Sequence, residues 1–203
     1  MKVENDFSEQ DRILKTFNDL NKYSLEIGIF GSDDSFMAMI ANVHEFGMTI
    51  RPKGKWLTIP TKEAGDRTAR EIPGLFKPRG VNALAVKNKR KQNGRDFTVM
   101  FWLVEEVNIP ERSFLRSTFD EKEKDWFQFF EKRLNDILIK KLDAKQVWEQ
   151  TGAMITKDIQ NKIRAIKTPP KSGATLQRNP NKTNPLIVTG SFIQHVTWKV
   201  VKK

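Results

Sequence analysis

Apolar positions along the chain change their period several times. Over residues 4–22, Phe7, Ile13, Leu14, Phe17 and Leu20 recur at helical spacing with acids and lysines between them, which predicts an amphipathic helix. The stretch Tyr23-Ser-Leu-Glu-Ile-Gly-Ile-Phe30 alternates strictly and predicts a strand with one buried face. Gly31-Ser-Asp-Asp34 supplies turn and helix-cap chemistry. From Ser35 to Phe46 the period is helical again, with Phe36, Met39, Ile40 and Val43 on one face. Gly47 follows as a terminating glycine.

The pattern then breaks into prolines, glycines and charges over residues 48–95. Within it, Lys55–Ile59 and Val81–Lys87 predict strands. The Asn93-Gly94 pair is a hairpin signal, and Asp96–Val104 is the returning strand, so residues 48–104 predict a projecting β-hairpin arm. Ile109-Pro110-Glu111 opens a helical half, with proline at an early helix position or in the entry turn. Phe114, Leu115, Phe119, Trp126, Phe127, Phe130, Leu134, Ile137 and Leu138 form one helical run. Val147, Trp148, Met154, Ile155, Ile159, Ile163 and Ile166 form another, with Asp143 as a break between them. Residues 168–185 predict a peripheral polar loop, and a strand from His195 to Val201 closes the chain. The expected fold is a single α+β domain spanning residues 1–203, with a mostly antiparallel sheet and helices packed on one face.

Charge sharpens this picture. The 203 residues carry a net charge of +11, and the excess is uneven. Residues 77–95 hold seven basic and no acidic groups, and residues 157–203 hold ten basic and one acidic. The expected hairpin tip carries Lys87, Lys89, Arg90, Lys91 and Arg95. These suit phosphate oxygens or another acidic partner, and they equally suit a solvated loop. Aromatic residues are absent from the tip, which argues against stacking on single-stranded bases.

Candidate chemistry is sparse. Cysteine is absent, which excludes a disulfide framework, a thiol nucleophile and a cysteine-ligated metal. Two histidines, His44 and His195, leave little for a multi-histidine metal site. No apolar run approaches ~20 residues, and the first residues lack the apolar core of a secretory signal, so no membrane segment is expected. Adjacent residues on a helix diverge by about 100°, so His44 and Glu45 do not converge as an acid–base pair. The expectation is a packed or capping His44 and a solvated Glu45. Asp33 and Asp34 read as caps. Gly47 to Trp56 fails as a phosphate loop: six residues separate its glycines where the motif has four, and tryptophan stands where a hydroxyl is required. No cofactor, metal or catalytic constellation is expected. Phe119, Trp126, Phe127 and Phe130 read mainly as core, with part of the aromatic content facing another subunit.

Three ordered stretches carry a resemblance. The first is Val43-His44-Glu45-Phe46-Gly47, following Ile27-Gly28-Ile29-Phe30-Gly31. The second is Ile109-Pro110-Glu111-Arg112-Ser113-Phe114-Leu115-Arg116, leading into Phe119-Asp120. The third is Pro185-Leu186-Ile187-Val188-Thr189-Gly190, before an amphipathic stretch and a last strand. Together they resemble the neck, head–tail joining or tail-completion proteins of tailed bacteriophages, from about Leu25 to Val200. The chain departs from that pattern at Ser113, where those proteins usually have proline.

The resemblance implies a structural virion protein, not an enzyme, made in the bacterial host cytoplasm and located at the head–tail neck. It implies a homo-oligomeric ring, usually sixfold, that meets connector and tail-tube or terminator proteins, with DNA in its lumen. A tail-tube terminator and a basic, non-specific nucleic-acid-binding module are the alternatives. On this reading Arg112 reaches a carboxylate, Pro110 and Phe114 fix and anchor a helix entry, and Thr189-Gly190 turns into a short helix.

Overall fold

The computed structural model describes residues 8–92 and 95–203, and the side chains of all of these except 90–92 and 95. The elements in chain order are α1 (Ser8–Leu20), β1 (Tyr23–Gly28), α2 (Ser35–Phe46), β2 (Met48–Ile50), β3 (Leu57–Pro60), β4 (Ala83–Gln92), β5 (Arg95–Val104), β6 (Val107–Ile109), α3 (Arg116–Lys140), α4 (Ala144–Ala165), α5 (Gly173–Arg178), α6 (Ser191–Gln194) and β7 (Thr197–Lys202). The α+β class is as the pattern predicts, and every strand pair is antiparallel. The strands are divided among three small sheets, ordered β1-β7, β2-β6 and β3-β5-β4. Among the described residues no helix is long and apolar enough to cross a membrane.

The chain forms two compact units. One comprises the residues up to Glu45 with Ser113–Ile166 and Leu186–Lys203. The other comprises Phe46–Arg112 with Lys167–Pro185. In the first unit, α4 lies on the β1–β7 pair. Val147, Thr151, Ile155, Ile159 and Ile163 are its buried stripe, spaced four apart on one helix face. Gly152 belongs to the same face because the strands come close: a Cβ there would sit 2.4 Å from Trp198 Cδ1. Asp143 separates the two long helices, as the pattern predicts. Its carboxylate accepts from the Gln146 amide at 2.8 Å, and the Gln146 side-chain oxygen accepts from the Asp143 amide at 3.0 Å. That reciprocal pair is a capping box.

The main core of this unit gathers Phe114, Ile155, Ile159, Ile163, Phe192 and Val196. A second cluster joins Leu20, Ile137, Ala144 and Val147, flanked by Phe130 and Trp148 with ring centroids 4.8 Å apart. In α1, Leu20 is buried, whereas Leu14 and Phe17 are exposed despite belonging to the predicted apolar face.

In the second unit, β5 is the central strand of its sheet. The Asn93-Gly94 hairpin signal falls between β4 and β5, as expected, but those two residues lie outside the described ones. Pairing runs Leu84↔Phe101 and then Ala85↔Val99, which makes Met100 an extra residue on β5. Thr61 satisfies the bulge: its amide donates to the Met100 carbonyl at 2.9 Å, and its hydroxyl reaches the Val99 carbonyl at 2.9 Å. Met100 and Phe101 form the small core of this unit with Ala64 and Ile72.

Two expected elements differ. The long helix begins at Arg116, so Pro110 stands in the entry and not at an early helix position, because Ile109 is the last residue of β6 and pairs with Met48. The expected polar loop at 168–185 contains α5, whose first turn is capped by the Ser172 hydroxyl accepting from the Thr175 amide.

Candidate functional site: a buried carboxylate that joins two motifs

The end of α2 points Glu45 inward. Its side chain is 4% exposed, so the solvated position expected from sequence is overturned. The reason lies in α3. The first turn of any helix leaves backbone N–H groups without intrahelical partners. Here the residue before α3 is Leu115, which has no side chain able to cap them. Glu45 does so from a distant part of the chain. Its carboxylate accepts from the amides of Phe114 at 2.8 Å, Leu115 at 2.9 Å and Arg116 at 3.0 Å. It also accepts from the Ser113 hydroxyl at 2.7 Å and the Arg116 Nε at 3.1 Å. Arg116 closes the arrangement by donating a second guanidinium N–H to the Glu45 backbone carbonyl at 2.8 Å.

The electrostatics follow from these contacts. Burial acts first and raises the carboxyl. The amide of Leu115, the Ser113 hydroxyl and the amides of Arg116 and Phe114 more than offset it, holding Glu45 below the ordinary value of 4.5. The positive end of α3 favours the same charged form. This group is an acceptor saturated by fixed donors, so it suits holding a fold together and does not suit moving a proton.

The other sequence-predicted residues divide around this node. His44 stands edge-on to Phe192 at 6.1 Å, and Phe114, fully buried, stands edge-on to the same ring at 5.2 Å. Phe192 follows Thr189-Gly190 in α6. Gly190 has φ +89° and precedes that helix, as the resemblance implies, and the Ser191 amide donates to the Thr189 hydroxyl. Residues from all three motifs therefore meet at one core: His44 and Glu45 from the first, Ser113, Phe114 and Arg116 from the second, and the buried Leu186 from the third, with Phe192 just beyond it.

Gly47, Pro110 and Arg112 belong to the second unit. Gly47 takes φ +71°, and a Cβ there would meet the Glu111 amide nitrogen at 2.9 Å and the Ile109 carbonyl at 3.1 Å. No other residue type fits there without strain. Pro110 directly follows β6. The resemblance implies that Arg112 reaches a carboxylate, across a subunit boundary if not within the chain. Within this chain it is buried and donates to the backbone carbonyls of Pro169 at 2.6 Å and Pro170 at 2.8 Å. Two successive carbonyls match the guanidinium fork as a carboxylate does.

The basic hairpin is described in part. Lys87 and Lys89 are exposed and share one face of β4 by the strand period of two. The side chains of Arg90, Lys91 and Arg95 lie outside the described ones. Asp34 caps α2 through the Met37 amide at 2.9 Å, as expected. Asp33 instead accepts from Lys199 Nζ at 2.7 Å. Among the described residues no group of His, Cys, Asp or Glu is arranged to hold a metal.

Sequence reasoning missed two features. Trp126 is core, and its indole N–H donates to Asp158 at 2.8 Å, but Phe119 and Phe127 of the same stripe are more than half exposed. Phe36 and Met39 on α2 are likewise exposed. The signal available for α2 was the lack of Lys, Arg and Asp anywhere in Ser35–Phe46. Comparison with protein-family models, with curated proteins and with solved structures finds no match to the chain.

Proposed function

We propose that this chain is a structural protein of the tailed-phage neck, joining or completing the tail at the head–tail interface as a homo-oligomeric ring. The observation that carries this reading is the convergence of the three motifs. Each motif is weak alone. The Glu45 carboxylate ties the first to the second, and Leu186 of the third is buried in one core with Phe114, so part of each motif meets in unit one. A shared ancestor would preserve such a unit together, whereas chance occurrence of three short strings has no reason to place them in contact.

Two further observations fit. Large apolar side chains stand exposed on α2 and α3, as a subunit that buries them on assembly requires. Lys87 and Lys89 supply positive charge that a DNA-filled lumen or an acidic neighbouring ring would meet. The partners on this reading are copies of the chain, a connector, and tail-tube or terminator proteins, and the place of action is the virion.

Disruption of the gene in its source phage tests the proposal. The expected result is DNA-filled heads and tails of normal length that do not join. Overlong tails would favour the terminator role instead. Normal infectious particles would overturn both.

A further inference from the structure

The proposed ring leaves open which surfaces meet. A ring requires a heterologous contact, in which one patch of a copy meets a different patch of its neighbour. Unit one carries a pair of patches of this kind.

The first is the outer face of α2. Phe36 is 63% exposed and Met39, one turn further on, is 53% exposed. In a chain with 30% charged residues, α2 carries a single carboxylate, Glu45, and that group is buried under its own donors. The outer face of α2 therefore has no ion to desolvate on being covered. Depletion of charge with enrichment of aromatic residues and methionine is the composition of an interface core.

The second patch is a groove of about 550 Å³ between α3, α4 and β1. Leu25, Ile27, Phe119, Trp126, Phe127 and Trp148 line it, and Glu123 is the one charged residue on its wall. No residue of α2 lines it, so the two patches are distinct. Its size falls in the range that encloses a drug-sized apolar ligand, room enough for two large side chains.

We propose that the Phe36–Met39 face of α2 in one copy docks into the α3–α4–β1 groove of the next copy. This rests on the ring reading above and specifies its contact. A second copy is the fitting occupant because one chain carries both the apolar projection and the apolar recess, in equal number, and the groove wall carries only one charge, Glu123, among the described residues that line it. Phe36, Met39, Phe119 and Phe127 are each half exposed or more, and large side chains of this kind bring about 150–250 Å² apiece. Covering them removes about 450 Å² of apolar surface, a fitting core for an interface of about 1,600 Å² in total. Since the patches differ, the contact propagates from copy to copy until it closes.

Sedimentation velocity and native mass spectrometry of the full chain over a wide concentration range test this, with Phe36→Asp and Phe127→Asp as variants. Both side chains are exposed in the monomer, and circular dichroism checks that each variant folds. The wild type is expected to assemble beyond a dimer. Each variant alone should remain monomeric, its association weakened by about thirtyfold or more. An equimolar mixture should form a heterodimer and nothing larger, because one copy keeps the groove and the other keeps the projection.

A wild type that stays monomeric or stops at two, a variant that assembles like wild type, or a mixture that stays monomeric overturns the interface. Rings found at the neck that survive both substitutions would refute this contact and leave the neck reading standing. Assembly as described by a chain absent from virions would do the reverse.

Discussion

Substituting Glu45 by alanine removes an acceptor that five donors share. The Ser113 hydroxyl and the Arg116 guanidinium can turn to water, since neither residue is fully buried. The backbone amides cannot turn without unwinding the start of α3. Phe114 is fully buried and Leu115 half buried, so their N–H groups stay unsatisfied at about 1–3 kcal/mol each. Loss of the charge–dipole interaction adds about 0.3–1 kcal/mol. The expected destabilisation of Glu45→Ala is therefore about 3–5 kcal/mol, a large part of the 5–15 kcal/mol typical of a folded domain. With a urea slope of about 2 kcal/mol per molar, the midpoint falls by about 2 M. Glu45→Gln keeps one acceptor oxygen but turns an NH₂ group toward other donors, and a loss of about 2–3 kcal/mol is expected.

The pH dependence gives an independent check. The Glu45 carboxyl is held below its ordinary value, so its contribution is complete above the unfolded value and is lost as pH falls through the lower folded value. The stability gap between wild type and Glu45→Gln should therefore be constant near neutrality and narrow in the acid range. Urea unfolding followed by circular dichroism at a series of pH values reads both effects. A loss below about 1 kcal/mol for Glu45→Ala would refute the assigned role. So would a Gln gap that does not change with acid.

Three further expectations concern other sites. Gly152→Ala drives a methyl into the Trp198 ring and should cost about 1–3 kcal/mol, read as a lower unfolding midpoint with shifted tryptophan fluorescence; an unchanged midpoint would contradict the close helix–strand approach. Gly47→Ala combines a left-handed backbone with contacts on Glu111 and Ile109, and should cost at least about 1 kcal/mol, with hydrogen exchange accelerated in β2 and β6. A chain carrying Lys87→Ala and Lys89→Ala should bind duplex DNA more weakly, with a salt slope shallower by up to about 2. Anisotropy titrations with an unchanged slope would assign both lysines to plain solvation.

Local features of the fold were legible because their signals are local. The strand period places β1, and the helical period with a terminating Gly47 places α2 from Ser35 to Phe46. Asp143 announces its capping box within four residues. The misses are non-local. Glu45 meets donors 68 to 71 residues away, and nothing in a hydropathy pattern marks a carboxylate as the cap of a distant helix. Arg112 finds backbone carbonyls, which every residue has, so its partners carry no side-chain signature. The helix α5 is hidden in a stretch rich in Pro, Asn and Lys, and only the Ser172–Thr175 spacing hints at it. For α2 and α3, periodicity finds an apolar face but does not say whether that face meets its own core or another surface. Phe36 and Phe127 are the instances, and the lack of Lys, Arg and Asp within Ser35–Phe46 is the better guide for Phe36.

Imaging of virions and free tails from the protein's source tests the central claim most directly. The account predicts density for a ring of this chain at the head–tail junction, with the Phe36–Met39 face of each copy seated on its neighbour. Particles of full occupancy in which the chain is found nowhere would contradict it.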